Sequence, residues 1–184
     1  MELIGPYLAA SALLVLAGSA KTLAPADTAR ALGHLVGLPA RLLRAAVRAG
    51  AIAETGVGLA ALIFPRTATA ALVAASYGGF AVYVGYARSR GGPLATCGCF
   101  GTPDTPATRL HVVLDLGFCA SAVAVAVAAP LGSIASILGT QPWRGVPLVL
   151  ASGAGAWLAV LALSSFAKLH AARGRFRTSA ADAA

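Results

Sequence analysis

Two cysteines separated by a single glycine are the residues best suited to chemistry in this sequence. Cys97 and Cys99 stand in the run Cys-Gly-Cys-Phe-Gly, on a short polar segment between two long apolar stretches. A disulfide between them would close a small, strained ring that is easily reduced, and Gly98 supplies the backbone freedom that such a ring needs. Nearby arginines favour the thiolate, the form that attacks disulfides and binds metals: Arg88, Arg90 and Arg109.

The cysteine pair is compatible with three kinds of chemistry. The pattern favours a redox-active dithiol, which exchanges electrons or disulfides with a partner. A soft-metal site formed by Cys97, Cys99 and His111 is the second alternative; copper(I) accepts two thiolates more readily than zinc, which usually takes four ligands. The third alternative is a structural disulfide or an inert pair of thiols.

Four further ionisable side chains lie inside or at the edges of apolar runs: Lys21, Glu54, His111 and Asp115. An ion that faces lipid costs several kcal/mol, so we expect these groups to face protein. Glu54 can pair with Lys21 or with Arg48, either as a structural ion pair or as a proton donor and acceptor beside a redox centre. For Asp115 and His111 we expect a carboxylate that complements the start of a helix and an interfacial histidine.

The composition indicates the elements that position these groups. Hydrophobic residues make up 58% of the chain and charged residues 11%, with a mean hydropathy of +0.80, which predicts an integral membrane protein. A helix needs about 20 apolar residues to cross a bilayer. Five runs qualify, near residues 3–20, 45–64, 67–87, 110–129 and 146–168. The first run follows Met1 and Glu2 without a basic segment, so we expect a retained span rather than a signal peptide.

The segments between the spans carry most of the charge. Residues 24–43 predict a short amphipathic helix, and residues 88–109, rich in glycine and proline, predict a constrained loop. Twelve of the fourteen lysines and arginines fall on one side, which predicts an outside N-terminus, a cytoplasmic C-terminus and a cytoplasmic cysteine loop. Because these residues flank spans, the net charge of +8 does not indicate nucleic-acid binding. Cys119, within the fourth span, is interpreted as a small hydrophobic residue.

Connectivity alone places the chemically interesting residues on one membrane face. The end of the first span, the start of the second, the end of the third and the start of the fourth must share that face. Lys21 and Glu54 therefore lie toward the same side as the cysteine loop, and His111 and Asp115 do so too. This prediction holds whichever way the protein is oriented.

Three segments resemble the MauE-type methylamine-utilisation membrane proteins, and more broadly the DoxX-like superfamily of small four-helix membrane proteins. They are Ala-Gly-Ser-Ala-Lys at 17–21, Ala-Glu-Thr-Gly-Val-Gly at 53–58, and the Cys-Gly-Cys-Phe-Gly loop; the resemblance covers roughly residues 3–129. It implies thiol–disulfide chemistry with a thioredoxin-like partner and maturation of a secreted enzyme. The implied functional positions are Lys21, Glu54, Cys97 and Cys99, with Arg109 following the loop.

We therefore predict an all-α integral membrane protein, with a four-helix transmembrane bundle at 1–129, one additional transmembrane helix within 130–168, and a basic, disordered tail at 169–184. The predicted function is thiol–disulfide exchange at the inner (cytoplasmic) membrane. Electron transfer across the bilayer would also need Cys119, a membrane quinone or a partner subunit, in a homo- or hetero-oligomer. The alternatives are a non-enzymatic assembly subunit and a metal-handling protein or small transporter.

Overall fold

The structure, a computed structural model, describes residues 4–90, 109–128 and 142–181, together with Gly139. These residues form helices and connecting turns and contain no strand. The helices are α1 (Ile4–Leu23), α2 (Pro25–Val36), α3 (Ala40–Ile63), α4 (Thr67–Arg90), α5 (Arg109–Val127) and α6 (Pro142–Ala181). The predicted all-α fold is confirmed.

Five of these helices are long and apolar enough to cross a bilayer within the described part of the chain. The qualifying segments are Ile4–Leu23, Ala40–Ile63, Thr67–Ser89, Arg109–Val127 and Gly145–Ala162. They correspond to the five runs that hydropathy predicts, and they establish a multi-pass membrane protein.

The helices extend beyond the predicted apolar runs at two places. Helix α3 begins at Ala40, before the predicted start at residue 45, and α6 continues to Ala181 through residues expected to form a disordered tail. Both extensions contain alanine and arginine, which favour helix even where the sequence is too polar for lipid. Hydropathy therefore located the apolar part of each helix rather than its ends.

Helix α1 lies at the centre of the bundle and contacts each of the other five helices. From Ile4 to Ala20 it carries no charged residue, and a helix that is apolar on all sides is suited to a central position. Its side chains Tyr7, Leu8 and Leu14 are almost completely buried. They form the main core with residues of α3, α4 and α5.

Glycines allow α1 and α3 to pack closely. A Cβ atom added at Gly58 of α3 would lie 2.7 Å from the Ser11 carbonyl oxygen of α1, and one added at Gly18 of α1 would lie 2.8 Å from the Ala51 carbonyl oxygen. Both distances are shorter than a normal van der Waals contact, so only glycine fits at these two positions. The two helix backbones therefore meet without side chains between them, as small residues permit in membrane bundles.

Helix α2 lies beside the beginning of α3. It starts with Pro25 in its first turn and is capped after Val36 by Gly37, whose left-handed backbone (φ 62°) lets its N–H donate to the Gly33 carbonyl oxygen. Its apolar side packs Ala29 against Leu43 in a small core of its own. The predicted amphipathic helix is thus present, over a shorter range than 24–43.

Candidate functional site

Lys21 and Glu54 form an ion pair between α1 and α3. The Lys21 ammonium donates a hydrogen bond to Glu54 Oε2, and only 7% of the lysine side chain and 20% of the glutamate side chain are exposed. Lys21 lies at the carboxyl end of α1, and the close packing at Gly18 and Gly58 brings Glu54 within its reach. Of the two partners that the sequence allows for Glu54, the structure selects Lys21 over Arg48.

Aromatic rings from α4 and α5 surround the lysine. The Lys21 nitrogen lies 4.8 Å from the centroid of the Phe80 ring, within the range of a cation–π interaction. Phe80 meets Tyr77 edge-on at 5.8 Å between centroids, and Tyr77 lies 5.2 Å from Phe118. The Tyr77 hydroxyl donates a 2.7 Å hydrogen bond to the Ala10 carbonyl oxygen of α1. The ammonium is therefore held by a carboxylate on one side and by an anchored aromatic wall on another.

A cavity of about 310 Å³ opens beside this ion pair. Its walls come from α1, α2, α3 and α4, and most of them are apolar. The lining residues are Lys21, Thr28, Leu32, Leu43, Ala46, Val47, Gly50, Ala51, Glu54, Phe80 and Tyr83. We call this space the large cavity; its polar end is the Lys21–Glu54 pair.

A second space of about 40 Å³, the small cavity, lies on the α5 side of the same lysine. His111 and Asp115 line it, and Lys21 and Phe80 line both cavities. His111, in the first turn of α5, is only 5% exposed because α5 packs tightly against α4. Its interfacial position in the membrane stays a prediction. Asp115 lies in the second turn of α5 rather than at its start.

The structure thus brings Lys21, Glu54, His111 and Asp115 together at one end of the bundle, as connectivity predicts. Cys97 and Cys99 lie outside the described residues, so the prediction for the pair is not tested. Their loop leaves α4 after Arg90 and enters α5 at Arg109, at this same end of the bundle.

The metal alternative also remains a prediction. Its three ligands were Cys97, Cys99 and His111, of which His111 alone is described. Within residues 4–90, 109–128 and 142–181 the structure contains no group of three or more histidine, cysteine, aspartate or glutamate side chains that could hold a metal ion. Cys119 is a partly buried free thiol packed against the main core, in keeping with its interpretation as a small hydrophobic residue.

Sequence reasoning did not identify the aromatic walls of the two cavities. Tyr77, Phe80 and Tyr83 follow one another at intervals of three residues in α4. Residues with this spacing lie close together on one side of a helix, and these three extend from the middle of α4 toward the end that shares a face with Lys21. This spacing and position were the sequence signal from which the aromatic lining could have been predicted.

The comparison with protein families matches residues 2–129 to the family described as methylamine utilisation protein MauE. This match extends over well more than half of the chain. The chain belongs to the MauE family. The matched region includes α1 to α5, both cavities and the cysteine loop, whereas α6 lies beyond it. No curated protein and no solved structure matches the chain. The wider DoxX-like placement stays a prediction.

Proposed function

We propose that this MauE family member is a membrane-embedded thiol–disulfide exchange protein that works through Cys97 and Cys99 with a thioredoxin-like partner. The observation that carries the proposal is the buried Lys21–Glu54 pair, which lies at the end of the bundle from which the cysteine loop leaves. Buried ionisable groups in a membrane helix bundle are costly and usually serve function. In this protein, Lys21 and Glu54 occur together with the two thiols of the Cys-Gly-Cys motif.

The exchange step needs both cysteines. The thiolate of one attacks a sulfur of the partner's disulfide, forming a mixed disulfide, and the displaced partner sulfur takes up a proton. The second cysteine, as its thiolate, then attacks the first, which forms the Cys97–Cys99 bond and releases the other partner sulfur, which is protonated in turn. Two electrons pass to the partner, and the reverse sequence passes a disulfide to a reduced partner.

Each complete exchange moves two protons as well as two electrons. We assign proton exchange at this end of the bundle to Glu54 and Lys21, which already share a hydrogen bond. Asp115 and His111 lie across the small cavity from them. The proposal extends to an inner-membrane location with the cysteine loop on the cytoplasmic side, as the distribution of basic residues predicts.

Thiol trapping in intact cells tests this proposal. We expect Cys97 and Cys99 to be protected from maleimides under oxidising conditions and to become reactive after reduction. Of the two single variants, Cys97→Ser and Cys99→Ser, the one that lacks the resolving thiol should accumulate a mixed disulfide with a thioredoxin-like protein. The one that lacks the attacking thiol should form none, because no attacking thiolate is left. Cys119→Ser is the matched control and should behave like the natural protein.

Two outcomes would overturn the exchange mechanism. Permanently free thiols that do not respond to the redox state would exclude a working dithiol. An unchanged phenotype in the Cys97→Ser/Cys99→Ser double variant would support an assembly subunit, for which the loop is a docking element.

A further inference from the structure

We propose that the large cavity binds the head-group ring of a lipid-soluble quinone, with the ring beside the Lys21–Glu54 pair. The volume of about 310 Å³ lies at the lower end of the range of roughly 300–1,000 Å³ that is usual for ligand sites. It is suited to a single ring with its substituents. The apolar tail of such a molecule would remain outside, in the lipid.

The charges that line the large cavity favour a neutral ligand that accepts hydrogen bonds. Among its lining residues, Lys21 and Glu54 are the ones that carry charge, and they compensate each other. An anionic head group would have to compete with Glu54 for the Lys21 ammonium. A cationic head group would have to compete with Lys21 for the Glu54 carboxylate. An ammonium has three N–H donors, so Lys21 can keep its bond to Glu54 and donate another to a quinone carbonyl oxygen.

The walls of the large cavity suit a flat, apolar ring. Phe80 and Tyr83 of α4 contribute aromatic rings to the wall, and Leu32, Leu43 and Val47 of α2 and α3 contribute aliphatic side chains. Aromatic side chains favour offset or edge-on contact with a second ring. A flexible acyl chain would gain no comparable benefit from the aromatic side.

The position of the cavity's rim indicates that the ligand enters from the bilayer. Ala46 and Gly50 line the cavity and are exposed, and both lie on α3 within the segment long and apolar enough to span a membrane. Helices α3 and α4 are joined by a short turn at the other end of the bundle, Phe64–Arg66, and are less closely packed against each other than α3 is against α1. The rim therefore lies near the beginning of this spanning segment, on an exposed part of α3 that a molecule dissolved in the bilayer can reach.

This site deepens the proposed function, and its redox role rests on that function. If the Cys97–Cys99 dithiol is the donor, two S–H bonds are lost and one S–S bond forms. The two electrons and two protons released convert the quinone to the hydroquinone. Binding of the ring itself requires only the described residues.

Substitution of Gly50 tests the site with a matched control on the same helix. A Cβ atom added at Gly50 meets nothing within 4 Å, and the same is true at Gly56, which does not line the cavity. We expect Gly50→Leu to fill the cavity and weaken the binding of decylubiquinone at least tenfold. Gly56→Leu should bind like the unsubstituted protein, although it adds the same side chain to the same helix.

The measurement is equilibrium binding of decylubiquinone to the full chain in nanodiscs, corrected for partitioning into empty nanodiscs. Using Cys97→Ser/Cys99→Ser protein throughout keeps the result independent of thiol chemistry, so that failure of quinone binding and failure of the exchange mechanism are separate findings. Saturable binding that Gly50→Leu alone weakens at least tenfold would support the site. Equal binding by the two leucine variants, non-saturable uptake, or full displacement by laurate would overturn it.

Discussion

Lys21 and Glu54 remain buried because each compensates the charge of the other. Removing two charges from water costs several kcal/mol for each ion, and close pairing offsets that cost. The Phe80 ring adds an attractive contact to the lysine. The pair therefore joins α1 to α3 at the same point where it forms the polar end of the large cavity.

Removing one member of this pair should be more harmful than removing both. We expect Lys21→Met to destabilise the protein by roughly 3 kcal/mol, because it leaves the Glu54 carboxylate without a partner in a mostly buried position. The Lys21→Met/Glu54→Gln double variant should recover most of that loss. Denaturant titration in detergent micelles measures both, and a double variant as unstable as the single one would contradict the prediction.

Tyr77 makes one hydrogen bond that links α4 to α1. Tyr77→Phe removes the 2.7 Å bond to the Ala10 carbonyl oxygen but keeps the ring contacts with Phe80 and Phe118. We expect a loss of about 1 kcal/mol, the usual net value of a buried hydrogen bond. Denaturant titration in detergent micelles measures this loss as well. A loss much larger than this would show that the hydroxyl does more than hold the two helices together.

At the scale of elements, the contact between α1 and α3 determines where the ion pair forms. The two glycines at this contact, Gly18 and Gly58, allow the backbones to approach closely. A wider separation would move Glu54 away from Lys21 and change the shape of the large cavity. The candidate site therefore depends on residues that carry no chemistry of their own.

Alanine substitutions at two neighbouring glycines should have opposite consequences. Gly58→Ala would place its Cβ 2.7 Å from the Ser11 carbonyl oxygen, so we expect a destabilisation of roughly 1–3 kcal/mol from overpacking. Gly56→Ala meets nothing within 4 Å and should be neutral or stabilising by up to about 1 kcal/mol, because alanine favours helix over glycine. Thermal unfolding in one detergent compares them directly; equal losses would exclude the close-packing explanation.

The short helix α2 closes one side of the large cavity. Thr28 and Leu32 contribute to the cavity wall, and Ala29 packs on Leu43 at the beginning of α3. The sequence predicts this helix from its amphipathic pattern and from Pro25. Its role as a wall could not be predicted, because an amphipathic pattern shows which side is apolar but not what that side covers.

At the scale of the whole molecule, α1 is the common neighbour around which the other helices assemble. Helix α6, which lies outside the family match, packs on α1 through Ala156 and Ala159 against Ala9 and Leu13. It contacts α1 closer to the beginning of that helix than Lys21 lies, and it lines neither cavity. The family region is therefore sufficient to form the candidate site in the described residues.

Reporter fusions test the orientation of the whole molecule. The excess of basic residues predicts that the C-terminus and the α1–α3 connection lie in the cytoplasm, with the Phe64–Arg66 turn on the opposite side. We expect a C-terminal green fluorescent protein fusion to be fluorescent and a C-terminal alkaline phosphatase fusion to be inactive. Phosphatase fused after Arg66 should be active, and the reversed pattern would invert the topology.

The sequence by itself determined the all-α membrane fold, the five spans and the shared face of Lys21, Glu54, His111 and Asp115. Hydropathy and connectivity are enough for these conclusions, because the thickness of the bilayer fixes helix length and each span reverses the chain. Only the tertiary structure decided that Lys21 is the partner of Glu54, and that Phe80 and Tyr83 line a cavity beside the pair. Those facts depend on helix rotation and separation, which are set by close contacts such as the one at Gly58 and which hydropathy does not encode.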